Sequence, residues 1–197
     1  MNGYFAKMTT SDGKTYVYEL YRHIQVKKPV MRIFEHKFLW SGTKDPRISS
    51  DLQTISPIKN IPGETRKVVE LCFPQTRMYN DVEVVHLKMD CDDSDQAASP
   101  HIQHAVKHPI RVIAFDVELL HATKGYFGEK AKVIRRASGN GSAIEEPLAT
   151  VDFDPVTKSF SYRLLNPEPG YDYRIMWPRP PLPKVNGKAK PAQAWKV

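Results

Sequence analysis

The chain has 197 residues, 41% of them hydrophobic and 26% charged, which allows a substantial core and excludes a wholly disordered chain. No apolar run reaches the roughly eighteen residues of a membrane-spanning helix, and the opening MNGYFAKMTTSDGKTY has no apolar stretch of the signal-peptide kind. The net charge of +7 lies mainly in a tail: from Pro178 onward PRPPLPKVNGKAKPAQAWKV carries five basic residues and no acid, leaving +2 on the first 177 residues, a distribution that argues against a basic groove in the folded body.

At the N-terminus, YFAKMTT and KTYVYELY flank Ser11-Asp12-Gly13. Asp-Gly between alternating runs predicts a hairpin over residues 3–23, with positive φ at both central turn residues. VMRIFEHKFLW (30–40) is rich in β-branched and aromatic residues and reads as a strand. The stretch 43–65, with Pro46, Pro57 and Pro62-Gly63, is loop-like around a short strand in ISSDLQTI. RKVVELCF (66–73) is a strand expected to stop at Pro74, and VEVVHLKMD (82–90) alternates cleanly.

IRVIAFDVELLH (110–121) is the most regular strand, with Ile113, Phe115, Val117 and Leu119 facing inward. KAKVIRRA follows and leads into the tip SGNGSA. VDFDPVTKSFSY then reads as a second hairpin in which Val151 and Phe153 oppose Phe160 and Tyr162. YDYRIMW puts Tyr171, Tyr173, Ile175 and Trp177 on one face. Eight to ten strands with turns at short intervals and no helical period define an all-β protein. The expected architecture is an antiparallel, immunoglobulin-like β-sandwich forming one domain over 1–177, followed by a Pro/Lys-rich tail or linker over 178–197. Cys72 and Cys91, without a secretory signal, are expected as reduced thiols in a cytoplasmic protein.

Between two strands lies DCDDSDQAASPHIQHAVKH (90–108), with four aspartates, one cysteine and three histidines. Ser99-Pro100 is a helix-start signal, predicting a short helical turn near 100–107. Such a turn places His101, His104 and His108 close to one face beside Asp92, a donor set for zinc. The spacing matches no recognised metal signature, so the simpler reading is a solvated inter-strand loop. The same histidines beside aspartates also suit a pH-sensitive surface.

No G-x-S-x-G, P-loop or G-x-G-x-x-G occurs, so no catalytic residue is assigned and an enzyme is not expected. Lys130, Lys132, Arg135 and Arg136 form a basic strand that suits phosphates or a protected sheet edge. In the tail, PRPPLP has polyproline II character, and Arg179, Pro181, Pro183, Lys184 and Trp195 are candidate partner contacts. The reading these features favour is a non-enzymatic binding or interaction module with no cofactor. It engages a protein partner, or assembles into a larger complex, through end loops, an edge strand and the tail. The alternatives are a metal-dependent (zinc) site at 90–108 and nucleic-acid binding through 130–136 and the tail.

Overall fold

The computed structural model describes residues 2–139 and 144–182. The chain is all-β, in three sheets. The largest has the order β13-β10-β1-β2-β8-β4, built from Ser159–Leu165, Val112–Leu119, Gly3–Thr10, Thr15–Gln25, Val82–Asp92 and Arg47–Ser49. A second, β12-β11-β14-β9, comprises Glu146–Asp152, Lys130–Ala137, Tyr171–Met176 and His101–Val106. The third, β3-β7-β5, comprises Val30–Phe38, Lys67–Met78 and Thr54–Ile55, with β6 (Lys59–Asn60) also on β7. Every pairing is antiparallel except β1 with β10, which runs parallel because the first strand slots between β2 and β10.

One core joins the three sheets. Leu20, Leu87, Ile113, Phe115 and Phe160 of the large sheet pack in the same buried cluster as Val69, Leu71, Ile102, Val133 and Ile175 of the smaller ones. Ile113, Phe115, Val117 and Leu119 are all essentially inaccessible, as the alternation of β10 requires. Above the large sheet, β9 lies over β1, where the His104 ring stacks on Tyr4 at 3.7 Å. Beside it β3 lies over β2, where the Arg22 guanidinium sits 5.4 Å from the Phe34 ring centre.

The first hairpin forms as expected, but its connection is longer than a two-residue primed turn. Only Gly13 has positive φ (71°), while the Asp12 carboxylate accepts the Lys14 and Thr15 amides at 2.8 Å each. Asp12 thus supplies by side chain what a tight turn supplies by backbone. A Cβ on Gly13 would lie 2.6 Å from His121 Nε2 and 3.0 Å from Leu182 Cδ2. Gly13→Ala is therefore expected to lower stability by about 1–3 kcal/mol, combining αL strain with a clash. Chemical denaturation checks this, and an unchanged midpoint would contradict it.

Three local expectations need correction. Pro74 does not end β7, which continues to Met78; Phe73 to Thr76 fall in a register shift between Cys72 and Arg77, where a missing N–H breaks no ladder bond. The predicted hairpin over 151–162 is a corner between sheets: β12 pairs with β11 and β13 with β10, leaving the single bridge Asp154–Ser159. Phe153 still meets Phe160, at 5.1 Å between ring centres. The helical turn near 100–107 is instead strand β9. Ile102 and Val106 are four apart, a spacing that suits a helix face and a strand face equally. Pairing of Ile102 with Ile175 and Val106 with Tyr171 decides for the strand, because two isolated helical turns gain too little to nucleate.

Candidate functional site

Two strand edges lie over neighbouring strands of the large sheet, β3 over β2 and β9 over β1, without pairing with each other. Among the described residues β3 is bonded only to β7, and β9 only to β14. Beyond one end of each they are tied together, where the Ser99 amide donates to Ser41 Oγ at 2.9 Å. β3 approaches this junction and β9 leaves it, so the two edges are antiparallel neighbours that no ladder closes.

The direction of the free backbone groups follows from the bonds already made. Glu70 on β7 donates to Ser56 Oγ (3.0 Å) and accepts from Ser56 N (2.9 Å), both on the side away from β3. Its neighbours Val69 and Leu71 therefore turn toward His36 and Phe34, and the groups of Ile33, Glu35 and Lys37 point outward from β3. On β9 the Pro100 and Val106 carbonyls accept from Trp177 and Gly170 on the β14 side. The groups of His101, Gln103 and Ala105 consequently point outward. Six residues thus direct backbone groups outward from these two edges, unpaired among the described residues except for the His101 amide, which donates to the Ser99 carbonyl at 2.9 Å; this is the arrangement to which an added strand binds.

Beneath the seam lie titratable side chains that sequence reasoning missed. Tyr4 and Arg22 are opposite each other on β1 and β2, facing the core side of the sheet. The Tyr4 and Tyr18 hydroxyls share a hydrogen bond of 2.7 Å, and burial pushes both phenols up. Arg22 has no carboxylate partner among the described residues, and desolvation pulls its guanidinium down. His36 and His104 flank it from β3 and β9. Burial and then the Arg22 charge push His36 down to about 4 and His104 to about 3, with His36 adding to the effect on His104. Arg22 sits on the row Tyr16, Tyr18, Leu20, Arg22, Ile24, and His36 sits between Phe34 and Phe38. A lone polar residue on an otherwise apolar strand row is the signal that would have found both.

The residues of the alternative zinc site are not brought together. His101 and His104 are three apart on a strand, so their side chains leave opposite faces, and His104 is spent on Tyr4. His108 is exposed beyond the strand end. Asp92 pairs with Lys44, whose hydrogen bond, with those of Ser94, holds the carboxyl well below its usual range. Among the described residues no group of three or more His, Cys, Asp or Glu is placed to hold a metal.

The basic strand is split by its own alternation. Lys130, Lys132 and Arg136 share the outer face of β11; Lys130 pairs with Asp152 at 2.6 Å and Arg136 with Asp172 at 3.7 Å. Arg135 faces the other way, bonded to Glu146 and Glu168 at 2.8 Å each and lying 4.3 Å from the Tyr171 ring centre. In the C-terminal segment, Arg179 is turned inward, donating to Asp93 Oδ2 at 2.7 Å and Gln96 Oε1 at 3.0 Å, and to the Ala98 carbonyl. Pro181 is exposed. Pro183, Lys184 and Trp195, like residues 140–143 of the SGNGSA tip, lie outside the described residues.

No protein-family model matches the chain, and no curated protein matches it. Among solved structures, an M1 zinc metallopeptidase from Deinococcus radiodurans is similar at 9% identity and a TM-score of 0.44. A mutant of that enzyme bound to a Tyr-Ser-Ala substrate is similar at 11% identity and the same TM-score. A two-domain M1 zinc metallopeptidase mutant bound to L-arginine follows at 11% and 0.41. In each case 88% of this chain aligns with 41% of the longer one, so the chain spans about two fifths of those proteins. A likeness of this order carries nothing of the peptidase's chemistry, and the all-β assignment stands on this chain's own ladders. Among the described residues no helix is long and apolar enough to cross a membrane.

Proposed function

We propose that the chain is a non-enzymatic interaction module that receives an extended segment of a protein partner along the β3–β9 seam. The single observation that carries this reading is the pair of neighbouring, unpaired edges with outward backbone groups at Ile33, Glu35, Lys37, His101, Gln103 and Ala105. A long strand edge with neither a covering element nor a proline is a liability that globular proteins ordinarily manage. β3 runs nine residues with Val30 and Ile33 about half exposed. Main-chain pairing supplies affinity in such recognition, and side-chain pockets supply selectivity.

Glu35→Pro removes one outward N–H without breaking a bond to β7, so the fold is retained. The expected result is capture of a partner from the native host by the unsubstituted chain, a loss of at least about tenfold with Glu35→Pro, and unchanged circular dichroism. Equal capture by both chains would refute the seam as the receiving surface.

A further inference from the structure

We propose that Arg22, His36 and His104 form a carboxylate-binding site at the base of the seam, which takes an aspartate or glutamate side chain of the entering strand. The proposal rests on the reading of the seam as the receiving surface, and adds the chemistry it selects.

Three observations support it. First, the Arg22 guanidinium is partly withdrawn from water and lies 5.4 Å from the Phe34 ring centre, with no acid opposite it among the described residues. A partly desolvated cation without a counter-charge is a costly arrangement that a bound carboxylate relieves. Second, among the described residues neither His36 nor His104 makes a side-chain hydrogen bond, yet their ring nitrogens are not sealed from solvent as the partnerless nitrogens of His121 and Trp177 are. Water, and hence a small polar group, reaches them. Third, the groups gathered at this point are cations or donors: Arg22 from β2, His36 from β3, His104 from β9, and Tyr4 and Tyr18 from β1 and β2; the acid on the same sheet face, Glu83 of β8 opposite Ile24, is already paired with Arg77 at 2.8 Å. The nearest acid on β3, Glu35, lies on the opposite face of that strand. A guanidinium fork offers two parallel N–H donors to one carboxylate, and each neutral imidazole adds one more.

The test uses the full chain and follows the His36 and His104 ring resonances by NMR at pH 7. The probes are sodium acetate at constant ionic strength, a blocked seven-residue strand peptide of alternating threonine and valine with a central aspartate, and its asparagine counterpart. Saturable shifts with acetate, and aspartate peptide binding at least about tenfold tighter than its asparagine counterpart, are the expected results. Arg22→Met should abolish both effects while raising Tm by about 2–8 °C, because an apolar side chain replaces an uncompensated charge. Acetate binding without either peptide keeps the carboxylate site and refutes strand entry. Equal binding of the two peptides without an acetate response keeps strand entry and overturns the carboxylate site. No saturable shift with any probe, or undiminished shifts in Arg22→Met, overturns the proposal.

Discussion

Arg179→Ala is expected to destabilise the protein by about 3–5 kcal/mol, although the residue lies beyond the strand framework. Its partner Asp93 is completely inaccessible to solvent, and the other Asp93 oxygen accepts the Ala98 amide at 2.8 Å. Removing the guanidinium leaves that carboxylate buried with a single amide and no counter-charge. The Gln96 amide group, bonded to the Gly13 and Asp93 carbonyls at 2.8 and 3.0 Å, loses its Arg179 contact as well. The segment after β14 is also held by Tyr126, whose hydroxyl donates to the Pro178 carbonyl at 2.5 Å. A chain cut after Trp177 should therefore lose at least as much stability as Arg179→Ala. Urea unfolding of both variants checks this. A change below about 1 kcal/mol would mean that the Arg179–Asp93 pair is merely a surface contact.

The second large effect is acid sensitivity above the carboxylate range. His36 and His104 titrate near 4 and 3 in the folded protein and near their ordinary 6.5 when unfolded. Between these values the unfolded chain binds more protons, so the stabilisation is complete above about pH 6.5 and falls as the solution is acidified. Each histidine contributes a slope of about 1.4 kcal/mol per pH unit, so acidification to pH 4 removes on the order of 3 kcal/mol per ring. His101 and His121, also pushed down by burial, act in the same direction. The aspartates with lowered pKa, Asp12, Asp92, Asp95 and Asp154, lose their contribution only below the ordinary carboxylate value, which separates the two windows. Unfolding free energies of the His36→Phe/His104→Phe variant between pH 6.5 and 4 should be markedly flatter than those of the unsubstituted chain. Parallel curves would show that the two rings take up protons in the folded chain as readily as in the unfolded one.

The strand pattern was legible in the sequence because alternation reports burial directly. The rows of β2, β8 and β10 face where their residues require. What alternation does not report is which strand pairs with which. VDFDPVTKSFSY has hairpin chemistry at Asp154-Pro155, yet its halves belong to different sheets, the first pairing with β11 and the second with β10. The 90–108 stretch drew attention through its composition, but its chemistry divides. Asp93 is a structural anchor for Arg179, Asp92 a surface pair with Lys44, and of the three histidines His104 places its ring beneath the seam, on Tyr4. The other members of the candidate site come from residues 4, 18, 22 and 36. Their convergence depends on three sheets meeting over one core, which no local pattern encodes.

Amide hydrogen exchange, residue by residue, on the partner-bound and free chains tests the central claim most directly. In the free chain the amides of Ile33, Glu35, Lys37, Gln103 and Ala105 should exchange rapidly, because none has an acceptor among the described residues, while those of Phe34, His36, Ile102 and His104 are protected. Partner binding should slow exchange at the outward set on at least one of the two edges. Protection confined to other surfaces, with both outward sets still exchanging as in the free chain, would contradict the assignment of the β3–β9 seam as the receiving site.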